Sequence, residues 1–90
     1  MIININKFGT TLISRPAGKE AYLAFQSSLY DLGETEVLEV DFAGVITLTP
    51  SWCDEFVTPL LAKYNKQVKL VNISNASVVE TLKILNIFPK

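Results

Sequence analysis

The stretch VLEVDFAGVITLTPSWCDEFVTPLL, Val37 to Leu61, decides the fold. Glu36 to Phe42 is expected to be the central strand, and its apolar residues, Val37, Leu38, Val40 and Phe42, predict a strand covered on both faces. Gly44 turns the chain in a short connection, where three apolar residues are expected to point inward: Val45, Ile46 and Leu48. A second helix then begins abruptly at Thr49-Pro50-Ser51. Every other element is expected to pack beside this unit.

The sequence allows two assignments for the start of this second helix. Thr49 fits as the N-cap with Pro50 at the first helical position, because a proline there gives up no hydrogen bond. Alternatively, Ser51 is the N-cap and Asp54 completes a capping box three residues later. Asp54 and Glu55 are placed in the first turn, where carboxylates interact favourably with the helix dipole.

An apolar stripe at helical spacing is expected to bury one side of the second helix; its members are Cys53, Phe56, Val57, Leu60, Leu61 and Tyr64. Cys53 is therefore interpreted as a small buried hydrophobe and not as a nucleophile. The residues left at the edge of the stripe or outside it are Trp52, Asp54, Glu55 and Thr58. Two roles are open for Trp52, an exposed anchor for a partner or a cover for the end of the sheet.

The remaining chain supplies a β-hairpin, a first helix, a third strand region and a last helix. The expected hairpin joins MIININ to Thr10–Ser14, and the first helix runs from Arg15 to Leu32, with Gly33 as its left-handed stop. Gly18 is expected to let this helix approach a sheet closely. A strand over 67–73 and a helix capped by Ser74 or Asn75 complete the chain. The order β-β-α-β-α-β-α predicts one α/β domain, 1–90, with about three helices and a four-stranded mixed, mostly parallel sheet.

Composition excludes several classes of function. The 90 residues carry a net charge of −1 with scattered basic residues, which gives no electrostatic reason to bind nucleic acid. No apolar run is long enough for a membrane span. The chain has no histidine and one cysteine, so we expect no metal, no cofactor, no disulfide and a reducing cytoplasmic compartment.

Catalysis is not expected from the carboxylates. Asp41 stands at the carboxyl end of the central strand, where open α/β sheets place their sites, but we favour a residue that hydrogen-bonds the loop backbone. An enzyme using Asp41, Asp54 and Glu55 would lack a general base and a phosphate-binding loop. We therefore predict that the protein is not an enzyme.

Several motifs resemble those of the STAS-like domains of small bacterial proteins. The most specific are Asp41-Phe42 and Ser51 to Phe56, within VDFAGVITLTPSWCDEF. The segment Ser14 to Gly18 is similar to the family's first-helix start. LKILNIF is similar to the ending of STAS domains, with Asn86 where glycine is common.

The resemblance implies a regulatory protein-interaction module. STAS domains include anti-sigma factor antagonists, which bind a histidine-kinase-like ATPase and are switched by phosphorylation of a serine at the second helix. Pro50 occupies the best-matching position and has no hydroxyl, so the candidate phosphorylation sites are its neighbours, Ser51 and Thr49. The expected partner-binding residues are Thr49, Ser51, Trp52, Asp54, Glu55 and Thr58. A homodimer is compatible with this reading, and the alternative function is anion or small-molecule binding at the same helix N-terminus.

Overall fold

The computed structural model describes residues 1–89, which form an α/β domain with three α-helices and five short strands. The strands are β1 (Ile2–Asn4), β2 (Thr11–Leu12), β3 (Leu38–Asp41), β4 (Thr47–Leu48) and β5 (Val68–Val71). The helices are α1 (Arg15–Leu29), α2 (Pro50–Tyr64) and α3 (Ala76–Ile84). Two 3-10 helices, Ile5–Phe8 and Asn65–Gln67, precede β2 and β5. Over this range, no helix is both long and apolar enough to cross a membrane.

The strands form two sheets in which every pair is parallel. The larger sheet has the order β1-β3-β5, and the smaller consists of β2 and β4. The α/β class, the single compact domain and the three helices are as predicted, but the single four-stranded mixed sheet is wrong.

The predicted β-hairpin is also wrong, because its first half bends out of the strand conformation after three residues. Ile5–Phe8 forms a 3-10 helix that places the Ile5 side chain fully inside the core. This turn redirects the chain so that β1 pairs with β3 and β2 pairs with β4. The connection after Phe42 bends at the matching point, where Gly44 has a φ of +81° and an added Cβ atom would lie 2.8 Å from Asn6 Nδ2.

The central strand β3 is covered on one face, not on both as its apolar content predicted. Leu38 and Val40 are fully buried, whereas Glu39 and Asp41 alternate with them on a partly exposed face. In the connection, Val45 and Leu48 are buried as expected, but Ile46 is 63% exposed and Thr47–Leu48 forms β4. The inward assignment of Ile46 is therefore wrong.

Packing of α1 on α2 forms the centre of the core. A Cβ atom added to Gly18 would lie 2.5 Å from the backbone carbonyl oxygen of Trp52, so the glycine allows the two helices to touch. Its close contact is thus with a helix and not with a sheet. Phe56 lies beside this contact in an aromatic cluster, where it stacks on Trp52 with ring centroids 5.0 Å apart and also contacts Phe8 and Phe25.

The helix ends follow local hydrogen-bonding rules. The helix α1 ends at Leu29 and is followed by a tight turn with hydrogen bonds between residues three apart. Gly33 does not have a positive φ, so it is not the left-handed stop of this helix. Asn75 is the N-cap of α3, since its side chain accepts from two backbone N–H groups. At the other end Asn86 has a φ of +60°, and the Asn86 and Ile87 N–H groups donate to Lys83 and Leu82. This is a Schellman motif, with Asn86 in the position that glycine usually takes.

We predict that Gly18→Ala lowers the free energy of unfolding by about 1–3 kcal/mol, because a methyl group there overlaps the backbone of Trp52. Helix propensity alone would favour alanine by about 1 kcal/mol, so the sign of the change reports the close contact. Urea denaturation measures it. Gly33→Ala is the control, since its Cβ would meet only Glu36 atoms at 3.7 Å or more. A Gly18→Ala variant as stable as the parent would show that the helices can separate without cost.

Candidate functional site

Thr49 is the N-cap of α2 and also fastens β2 to this helix. Its hydroxyl oxygen accepts from the Trp52 N–H at 3.4 Å. The hydroxyl donates to the carbonyl oxygens of Leu12 in β2, at 3.2 Å, and of Ile13 just after it, at 2.6 Å. Pro50 follows at the first helical position. The alternative in which Ser51 caps the helix is therefore wrong, and the Thr49 hydroxyl has little freedom to meet a partner.

Asp54 and Glu55 lie in the second turn of α2, one turn later than predicted. Both carboxylates form ion pairs with Arg15 at the start of α1, whose Nη1 lies 3.0 Å from Asp54 Oδ2 and 3.5 Å from Glu55 Oε2. The hydrogen bond from Arg15 holds the pKa of Asp54 below its usual value. All three side chains remain partly exposed.

Arg15 was not among the residues predicted for the site. The sequence places it next to Pro16 at a helix start, which says nothing about a partner on another helix. Two features of the sequence could have indicated the contact. Asp54 and Glu55 carry the charge opposite to that of Arg15, and the small Gly18 allows the starts of the two helices to come together. The contact is non-local, so no spacing rule within one helix could have found it.

Trp52 is 1% exposed, so its interpretation as an exposed anchor is wrong. It belongs to the core, stacked on Phe56. The Thr58 hydroxyl oxygen is also buried and so faces no solvent. Cys53 is fully buried as predicted, and burial together with the charge of Asp54 raises the pKa of its thiol to about 12.

Of the predicted site residues, Ser51, Asp54 and Glu55 remain available at the surface, and Arg15 joins them. We call Arg15, Ser51, Asp54 and Glu55 the helix-start surface. Ser51 is half-buried, and it shares a face with the two carboxylates because they lie three and four residues further along α2. An open groove of about 360 Å³ lies alongside, between β2 and α1, with Ile13 and Ala17 in its lining.

Asp41 has a structural role, which confirms the interpretation that it bonds the loop backbone. Its Oδ1 accepts from Asn72 Nδ2 at 2.8 Å and from the Ala43 N–H at 2.9 Å. The bond from Asn72, followed by that from Ala43, lowers the pKa of Asp41. Within the described part of the chain, Asp41 forms no metal-binding cluster with other acidic side chains.

Removing the N-cap tests the start of α2. We predict that Thr49→Ala lowers the free energy of unfolding by about 0.5–2 kcal/mol, because the Trp52 N–H loses its acceptor and β2 loses a donor. Chemical denaturation of Thr49→Ala, Thr49→Ser and Ser51→Ala measures this. Thr49→Ser should keep most of the stability and Ser51→Ala should be nearly neutral. A larger loss in Ser51→Ala than in Thr49→Ala would contradict the assignment.

Removing the guanidinium tests the ion pairs. We predict that Arg15→Gln raises the pKa of Asp54 toward its ordinary value, as followed by carboxyl NMR titration. A lowered folded-state pKa means that the contact stabilises the fold above the unfolded-state pKa, and that this stability is lost as the pH falls through the folded-state pKa. Lys19→Gln removes another exposed positive charge from α1 and serves as the control. An unchanged pKa in Arg15→Gln would remove Arg15 as the cause.

The chain matches no protein-family model, no curated protein and no solved structure. The resemblance to STAS-like domains accordingly rests on the sequence motifs quoted above.

Proposed function

We propose that this protein is a regulatory protein-interaction module of the STAS-like kind and not an enzyme. It docks a protein partner, a histidine-kinase-like ATPase, in the cytoplasm through the helix-start surface. The observation that carries the proposal is the exposed contact of Arg15 with Asp54 and Glu55, which presents both signs of charge at the start of two packed helices. The sequence resemblance supplies the class of partner.

The energetics of this surface suit exchange with a partner. Exposed ion pairs contribute only about 0–1 kcal/mol to stability, so the charges of Arg15 and Asp54 can turn to a partner at little cost to the fold. The backbone beneath them is held by the Gly18–Trp52 contact and by the Thr49 cap. A rigid base with exchangeable charges favours fast, orientation-specific association.

Regulation by phosphorylation is assigned to Ser51. The Thr49 hydroxyl already donates to the Ile13 carbonyl, and a phosphate on this oxygen would remove that hydrogen bond. A phosphate on Ser51 would add about −1.5 to −2 charge on the face that carries Asp54 and Glu55. The added repulsion would alter this surface while leaving the cap in place.

Anion binding at the same helix start remains the alternative function, and the charges of this site disfavour it. Thr49 already satisfies the Trp52 N–H, and two carboxylates lie within the next turns of α2. An anion approaching the remaining N–H groups would meet their negative charge.

Site-specific photo-crosslinking tests the proposal. A photoreactive amino acid at position 51 should capture an ATPase-fold protein in the cells that make this chain, whereas the same group at Glu34, in the exposed loop after α1, should not. With the captured protein purified, Asp54→Lys and Glu55→Lys should each weaken binding about tenfold, mainly through the association rate, with the melting temperature nearly unchanged. Glu34→Lys is the matched charge control.

Two results would count against the proposal. Equal capture at positions 51 and 34 would show that the contact is non-specific. Full affinity in both lysine variants would move the docking site away from the helix-start surface.

A further inference from the structure

The β1-β3-β5 sheet has one face that no described element covers. The residues that point to the core, Ile3, Leu38 and Val40, are at most 1% exposed. Residues of the opposite face lie in two cross-strand rows: Ile2, Glu39 and Lys69, then Asn4, Asp41 and Val71. We call this second face the outer sheet face. Ile2 on this face is 60% exposed, and the adjoining Val37 is 50% exposed.

An uncovered face is unusual for a sheet of this kind. All-parallel sheets occur almost only where both faces are covered, since their crossover helices normally occupy both sides. Here both crossovers move one strand further in the same direction, from β1 to β3 and from β3 to β5. Right-handed crossovers in the same direction put α1 and α2 on the same side of the sheet. The topology therefore leaves the outer sheet face bare.

Two of the three charged side chains on this face, Glu39 and Lys69, are arranged to match a second copy of themselves, while Asp41 is held by Asn72 and Ala43 of its own chain. Glu39 and Lys69 are direct cross-strand neighbours in the register of β3 and β5. Consider two copies whose outer sheet faces meet, related by a two-fold axis that lies between the two sheets. If this axis runs parallel to the strands and midway between β3 and β5, β3 of each copy lies opposite β5 of the other. Each Glu39 then faces Lys69 of the partner subunit at the same level, and the contact occurs twice.

We propose that the outer sheet face binds a second copy of this chain, face to face, through reciprocal Glu39–Lys69 contacts. Within residues 1–89 of a single copy, the ion pairs join Met1 to Glu36 and Arg15 to Asp54 and Glu55, and neither Glu39 nor Lys69 takes part in one. Packed sheets lie about 10 Å apart, a gap that these two long side chains can bridge together. Val37, which precedes β3 by one residue and is 50% exposed, adds apolar area at the rim.

The size of the face sets the strength of this dimer. Two facing strands of four residues each offer less than the roughly 1,200 Å² of total buried surface that stable interfaces need. The dimer is therefore weak and concentration-dependent. It also lies apart from the helix-start surface, so it stands or falls separately from the proposed docking of a partner protein.

Charge reversal with mixing tests the inference. Sedimentation velocity of the parent protein, up to about 1 mM, should show a reversible dimer. Glu39→Lys and Lys69→Glu should each weaken self-association about tenfold or more, because like charges then face each other twice. An equimolar mixture of the two variants should form a heterodimer at least as tight as the parent dimer, since the two lysines of one chain then face the two glutamates of the other.

Matched controls make each outcome decisive. Lys19→Glu reverses an exposed charge on α1 and should leave the dimer unchanged, and circular dichroism confirms that every variant is folded. A parent protein that stays monomeric at about 1 mM overturns the inference. So does a dimer that is indifferent to both reversals, or a mixture that associates no better than either variant alone, because a different surface would then be responsible.

Discussion

The contact between α1 and α2 at Gly18 is the constraint on which the rest of this structure depends. A backbone approach this close requires a residue without a side chain on α1, and it fixes the two helix starts relative to each other. The same contact brings Arg15 within reach of Asp54 and Glu55. The backbone of Trp52 lies in this contact, and its buried side chain packs against Phe8 and Phe56.

Hydrogen bonds from several elements, and not one local motif, hold the start of α2. Thr49 bonds both to α2, through the Trp52 N–H, and to β2, through the Leu12 carbonyl. Ser77 and Thr81 of α3 hydrogen-bond the backbone of Leu48 just before it. The start of α2 is thus held from both neighbouring sides, and a rigid support of this kind suits a surface that recognises another protein by shape and charge.

Local patterns predicted what depends on neighbours in sequence. The core stripe of α2, the burial of Cys53, the Thr49 alternative for the N-cap and the backbone role of Asp41 all follow from spacing or side-chain chemistry. Long-range relations were missed. Strand pairing depends on where Ile5–Phe8 turns the chain, which a β-rich composition does not reveal. Trp52 lies at the edge of a helical stripe, where only the position of the neighbouring helix decides whether it is buried.

The register of the strands has a consequence for how the chain reaches its fold. Ile2 pairs with Glu39, Thr11 with Thr47 and Leu38 with Val68, so the partners in every described strand pair are roughly thirty or more residues apart. Neither of these sheets contains a hairpin to nucleate it, and each pairing must first close a long loop that contains a helix. Such non-local topology slows folding in small domains. During synthesis, β1 stays unpaired until β3 has been made. For that interval the backbone of β1 lacks its hydrogen-bonding partner strand.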